Sequence, residues 1–272
     1  MPDSCRFDRL CRLYGDKTLE KLKAAHVLIC GLGGVGSWSA EAIARTAIGR
    51  ITLADFDIVG ETNINRQLPA LTDNFGREKT AVIAERIGKI NPDCEIEIRN
   101  IRLTPENIPS LFQEKPTVVI DAIDNVTAKC FLIAYCRENK IPIIVSCGSG
   151  GRKDPSKISV WDLAETENDA LARSVRYVLR QKYGFPRKGR FGITTVCSSE
   201  IPNTPFPGLK PEETKHTLPF DNKSDDGKPK RPPFIVGTAC FVTGTFGFFC
   251  ASEAVKRILT ISNCGTKSDD KR

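Results

Sequence analysis

The chain is 272 residues long, 40% hydrophobic and 27% charged, with a formal net charge of +7. That balance excludes both a disordered chain and a membrane protein, and the length lets a single α/β domain over 1–272 bury a core. The opening MPDSCRFDRLCRLYG mixes Arg with Asp and has no apolar block, so neither a signal nor a transit peptide is expected and the cytoplasm is the default compartment. Eleven cysteines, none spaced C-x-x-C and with only His26 and His216 beside them, read as buried reduced thiols rather than disulfides or a structural zinc site.

Residues 1–25 read as a short amphipathic helical arm. From residue 26, apolar strand-like runs alternate with helical periodicity. The order is HVLIC, a helix over 36–48, RITLAD, a helix over 77–90, CEIEIRNI, TVVIDAI, a helix over 127–139 and IPIIVSCG. Apolar runs separated by helices imply a mostly parallel sheet with right-handed crossovers, so 26–151 is expected to be a Rossmann-like nucleotide-binding half with flanking helices. KISVWDL, a basic helix over 168–183 and RFGITTVCSSE add strands to that sheet and open a substrate-side half over 152–272. Eight of the seventeen prolines fall in 202–233, which reads as a long mobile surface loop. The closing run FIVGTACFVTGTFGFFCASEAVKRIL is about as long as a bilayer span, but its glycines, threonines, Glu253 and Lys256 predict a buried, glycine-broken C-terminal helix.

GLGGVGS, residues 31–37, sits between the first strand and the first crossover helix. Gly31 permits the tight turn, Gly33 lets backbone approach a phosphate, Gly36 lets the helix pack close, and the amides at the helix start face the anion. Asp55 ends the next strand, 24 residues after Gly31, where its carboxylate can accept from ribose hydroxyls, with Asp57 two residues on. A glycine turn that merely packs is the competing reading, and the strand, helix and Asp55 around it weigh against that. These features alone would suit a nicotinamide dehydrogenase. DIVGETNINRQL, however, adds Asn63, Asn65, Arg66 and Gln67, and GREKTAVIAERI starts a helix with Lys79. Two cations beside a phosphate-binding turn suit a triphosphate whose α-phosphorus is attacked while the β and γ charges are neutralised. Asp121 and Asp124, in VVIDAIDNVTAK, stand at the carboxyl end of a strand, the edge where ligands bind in open α/β sheets. A carboxylate there can hold Mg²⁺, although Asp124-Asn125 can equally cap the next helix.

GLGGVGS, LADFDIVGETNINRQ, Lys79 and DAIDN together resemble the ThiF/MoeB/HesA superfamily of carboxylate-adenylating enzymes, whose fold is shared with ubiquitin-activating enzymes. Within it, RLYG at 12–15, the run at 34–49, LIAYCRENKIPII, the run at 154–164 and VTGTFGF resemble the tRNA threonylcarbamoyladenosine dehydratase family. The resemblance implies that Gly33, Gly34 and Gly36 line ATP phosphates, with Gly31 shaping the turn. Asp55 would bind ribose, Asn63 and Arg66 phosphate, Lys79 the α and β groups, and Asp124 Mg²⁺. It also implies a homodimer in which an N-terminal arginine, Arg9 or Arg12, reaches the partner's site; Arg12 is preferred as part of RLYG. Docking by a sulfur-transfer protein stays open.

The substrate implied is a threonylcarbamoyl group beside the tRNA anticodon, activated as an acyl-adenylate and closed into a ring by its own ureido group. Protein-modifying relatives place an acceptor cysteine in the crossover loop, but no Cys lies between Cys197 and Cys240. Seven basic residues and no acidic ones occupy the segment from Arg173 to Arg190: Arg173, Arg176, Arg180, Lys182, Arg187, Lys188 and Arg190. The three helical arginines fall on one face, and such a stripe is expected to hold a tRNA backbone, with Tyr177, Tyr183 or Phe185 free to stack on an unpaired base. A merely solvated helix face is the plainer alternative. The rival activity is adenylation of the C-terminal glycine of a ubiquitin-like or sulfur-carrier protein. A scaffold without turnover is disfavoured because Arg66, Lys79 and Asp124 occur together.

Overall fold

The computed structural model describes residues 6–203 and 237–261. The loop expected at 202–233 therefore lies outside the described residues beyond Asn203. Among the described residues, seven strands form one sheet: β1 (His26–Cys30), β2 (Arg50–Asp55), β3 (Glu95–Asn100), β4 (Val118–Asp121), β5 (Ile143–Ser146), β6 (Ile158–Asp162) and β7 (Thr194–Ser198). Their order is β3-β2-β1-β4-β5-β7-β6, parallel throughout except for β6, which runs antiparallel to β7. This is the Rossmann-like sheet expected, with the second half adding β7 and β6 to one edge.

Each central strand feeds two cores because successive side chains point to opposite faces. Val27 and Ile29 of β1 join one cluster, with Ile120, Ile144 and Val196. Leu28 and Cys30 join the other, with Val119, Val145, Cys147 and Cys197. On the first face lie α3 (Gly36–Ala44), α4 (Lys79–Ile90) and α7 (Cys240–Ile261); on the second lie α5 (Val126–Glu138) and α6 (Ala170–Lys182). The N-terminal arm is two helices, α1 (Asp8–Tyr14) and α2 (Asp16–Lys23), divided at Gly15, whose φ of 86° a helix does not accept.

The C-terminal helix departs from expectation. It is continuous over 22 residues, and its glycines serve lateral packing instead of breaking it. A methyl group on Gly247 would meet the Val35 carbonyl oxygen and Trp38 Cβ at 2.7 Å each, so α7 crosses α3 almost backbone to backbone. No helix among the described residues is long and apolar enough to cross a membrane.

Candidate functional site

The glycine turn leaves β1 at Cys30 and is shaped by contacts that a side chain would break. Gly31 has a φ of 86°, and a methyl there would meet the Ala122 carbonyl oxygen at 2.7 Å, pressing the turn against the segment that follows β4. A methyl on Gly36 would collide with the Gly31 carbonyl, which is why α3 can begin so close to the strand. At Gly33 nothing stands within 4 Å of where a Cβ would be, leaving a bare backbone face. Gly34 lies under Thr243 of α7 and 3.5 Å from the Arg66 side chain on the same measure. Asp55 locks this turn to β2: one carboxylate oxygen accepts from Leu32 N at 2.5 Å, the other from Asp57 N at 2.8 Å. Each oxygen keeps a lone pair for a ribose hydroxyl.

Arg66 is brought to the turn by its backbone. Trp38 Nε1 and Thr243 Oγ1 donate to the Arg66 carbonyl at 3.0 and 3.2 Å, and Leu68 N donates to Ser37 Oγ at 3.2 Å. Helices α3 and α7 thus clamp the loop from both sides. The half-buried guanidinium donates to the Thr62 carbonyl at 2.8 Å and to Asn65 Oδ1 at 3.2 Å, and burial lowers its pKa. Asn63 is part of the loop's own scaffold, its Oδ1 accepting from Gly60 N at 3.0 Å. Trp38, Ser37 and Thr243 were not singled out in the sequence. Their signal is polar side chains within otherwise apolar helical runs, GSWSA and VTGTF.

Lys79 begins α4 and is only 4% exposed. It is not the free cation its position suggested: Nζ pairs with Asp57 Oδ2 at 2.8 Å, while its backbone N–H donates to the Asp57 carbonyl at 3.0 Å. Asp57 thus holds Lys79 through one oxygen of a half-exposed carboxylate.

Asp121 is a correction. Its side chain is fully buried, one oxygen accepting from Ile123 N at 3.0 Å and the other 2.8 Å from the equally buried Lys129 Nζ. Burial pushes this carboxyl up while Lys129 draws it down. Two fully desolvated charges below the turn brace the end of β4 and leave no route to a ligand. Asp124 is exposed and makes no side-chain hydrogen bond or ion pair among the described residues. The capping role falls to Asn125, whose Oδ1 accepts from Ala128 N at 3.0 Å.

The basic segment is spread between the two edges of the sheet. Helix α6 starts at the carboxyl edge, where the Gly148 amide donates to Asp169 at 2.9 Å, and it runs toward the amino edge, where residues 187–190 lead into β7. Thirteen residues at about 1.5 Å each make it about 20 Å long. Only Arg173 lies near the glycine turn's edge; Lys182, Arg187, Lys188 and Arg190 gather at the opposite one. The stripe is also partly spent. Arg176 donates to the carbonyl and hydroxyl of Thr166, Arg180 lies over Phe191 and donates to Pro186 O at 3.3 Å, and Arg190 pairs with Glu165 at 3.3 Å. Phe185 is only 3% exposed, beneath Arg137, so it is closed to stacking, and Tyr183 packs on the core. Tyr177 is 65% exposed. In the arm, Arg12 is exposed and paired with Asp8 at 2.7 Å, and Arg9 is exposed.

The model of the ThiF family matches residues 7–269. The tRNA threonylcarbamoyladenosine dehydratase of Escherichia coli is 43% identical over 258 residues, covering 93% of both chains. The enzyme of the same name from Haemophilus influenzae is 41% identical with the same coverage. The crystal structure of the E. coli enzyme in complex with ATP superposes with a TM-score of 0.83 over 96% of each chain, at 41% identity.

Proposed function

This chain belongs to the ThiF family, and on that premise we propose that it is an ATP-dependent tRNA threonylcarbamoyladenosine dehydratase acting in the cytoplasm as a homodimer. The observation that carries this reading is the clamp on Arg66. Two helices hold its carbonyl so that the Arg66 side chain runs past Gly34, next to the bare backbone of Gly33 and one strand from the Lys79 and Asp57 pair. A nucleotide with its ribose at Asp55 extends its phosphates along that backbone toward Arg66. Asn63 and Lys79 supply the remaining donors, with Lys79 exchanging Asp57 for an α- or β-phosphate oxygen.

The threonyl carboxylate then attacks the α-phosphorus, the bond to the β-phosphate oxygen breaks, and pyrophosphate leaves with the charge that Arg66 and Lys79 stabilise. The ureido group attacks the resulting acyl-adenylate, AMP departs, one proton is released and the ring closes. Groups held in this way reach effective molarities of about 10⁵ M or more, so no protein nucleophile is needed. Cys197 is 1% exposed, which suits a mechanism without a thioester. Asp124, an uncommitted exposed carboxylate at this edge, has the hard oxygen chemistry that Mg²⁺ takes; when bound, the ion would draw charge from phosphate oxygens. The partner subunit's N-terminal arm would supply a further cation, for which Arg12 is the candidate on each chain. Arg173 and the exposed cations at the end of α6 would hold the tRNA backbone.

The test incubates the protein with ATP, Mg²⁺ and tRNA carrying threonylcarbamoyladenosine, then weighs the nucleoside. Loss of one water supports the reading. An unchanged nucleoside together with ATP–pyrophosphate exchange that depends on a ubiquitin-like protein sinks it in favour of the rival activity.

A further inference from the structure

Two thiols at the carboxyl edge have no part in that reaction. Strands β5 and β7 are parallel with Ser146 opposite Val196, and the next amide continues the ladder, Cys147 N donating to Val196 O at 3.0 Å. Cys147 and Cys197 are therefore neighbours across the sheet. Both point to the same face and belong to the same core cluster. Adjacent strands run about 4.8 Å apart, within the Cα separation of about 4.4–6.8 Å that a disulfide spans. The two sulfurs and an Asp169 carboxylate oxygen all lie within 4.8 Å of one another.

That triad has a donor set a soft metal could use, but Asp169 is already committed. Its oxygens accept from Ala172 N at 2.7 Å, from Gly148 N at 2.9 Å and from the buried Arg152 Nη2 at 2.9 Å. A cation placed there would face a guanidinium that cannot withdraw: Arg152 also donates to Gly148 O at 2.9 Å and Glu200 O at 2.7 Å. Arg152 favours thiolate charge on Cys197, in opposition to the Asp169 carboxylate. We propose that Cys147 and Cys197 are a site of reversible oxidation, closing to an intramolecular disulfide when the protein meets a hydroperoxide.

Cys147 lowers the Cys197 pKa and Arg152 adds to it, against burial and the Asp169 carboxylate; its neighbour Cys197 and burial raise Cys147 well above the ordinary thiol range. Cys197 is thus the attacking group and Cys147 the resolving one. In the first step, the Cys197 thiolate bonds to one oxygen of hydrogen peroxide, the O–O bond breaks, and the departing hydroxide takes a proton to become water. The Cys147 sulfur then attacks Cys197 Sγ, the S–O bond breaks, and a second water leaves. Two thiols are oxidised by two electrons and one peroxide is reduced.

The experiment treats the full reduced chain with hydrogen peroxide, alkylates, digests without reductant and maps the peptides by mass. Expected is a linked pair containing Cys147 and Cys197, lighter by two hydrogens than the separate peptides and reopened by dithiothreitol. The pair is absent in Cys197→Ser and retained in Cys240→Ser, which removes an exposed thiol. The wild-type map decides the matter even if a core variant fails to fold. Recovery of Cys147 and Cys197 as separate alkylated peptides, at peroxide levels that oxidise Cys240, overturns the proposal. So does a metal ion that copurifies at one per chain and is lost in Cys197→Ser.

Discussion

Arg66→Ala separates the catalytic claim from a structural one because the residue's two roles use different atoms. The carbonyl that Trp38 and Thr243 hold survives truncation, so the loop stays clamped between α3 and α7. What is lost is a half-buried guanidinium whose contacts, to Thr62 O and Asn65 Oδ1, lie within its own loop. Hydrogen bonds are worth about 0.5–1.5 kcal/mol net, and these are partly solvated, so the stability cost is about 1 kcal/mol. That corresponds to a melting shift of about 2–4 °C for a domain of roughly this size. Removing one fixed donor from developing oxyanion charge costs about 2.7–4 kcal/mol, or about 10²–10³ in kcat. Thermal unfolding and nucleoside mass analysis measured on the same preparation distinguish the two. Near-wild-type turnover would refute the assignment of Arg66 to the triphosphate. Collapse of the fold would refute the claim that its carbonyl alone holds the loop.

Lys129→Met leaves Asp121 unpaired at zero exposure and is expected to cost about 3–5 kcal/mol in denaturant unfolding, much of it recovered by adding Asp121→Asn. The single variant's loss should be smaller at about pH 5 than at about pH 8, since burial raises the Asp121 carboxyl and the folded state then keeps the extra proton. His26, whose Nε2 lies 2.8 Å from Thr52 Oγ1, is brought down to about 4 from 6.5 by burial and by Arg50. The unfolded chain binds the proton first, so wild-type stability should fall as pH drops from 6.5 toward 4, and His26→Gln should flatten that part of the melting curve. Arg187→Gln with Lys188→Gln should weaken tRNA binding and lower its salt slope by about 1–2 while leaving the KM for ATP unchanged.

The sheet was legible because β1, β2, β4 and β5 are apolar runs bounded by turns, and a buried parallel strand reads as such. The turn was legible because two of its glycines, Gly31 and Gly36, answer to specific collisions. What escaped was long-range pairing. Asp121 carries the same letter as an exposed metal ligand, and only the register that sets it above Lys129 on α5 makes it structural. Lys79 was placed at the right edge but without its partner, since the Asp57 contact depends on how the segment from 57 to 78 folds back, with Val59 N donating to Arg77 O at 2.8 Å. The α7 glycines looked like helix breakers because a sequence shows their low propensity and not the helix pressed against them.

The basic segment carries the largest consequence of that limit. Its helical phase was read correctly, but phase does not say which end of α6 faces the glycine turn. Asp169 fixes the amino end at the carboxyl edge, so the charge that accumulates beyond Lys182 falls about 20 Å away. A phosphate backbone can bridge that distance where a single nucleoside cannot. On the proposed function, contacts at Arg187 and Lys188 would serve affinity and orientation, and selection of the modified base would fall to the other end, near Arg173 and the turn itself. On this division, loss of the far cations raises the tRNA concentration needed for half-maximal rate without slowing bound substrate, whereas loss of Arg66 slows the reaction at any concentration.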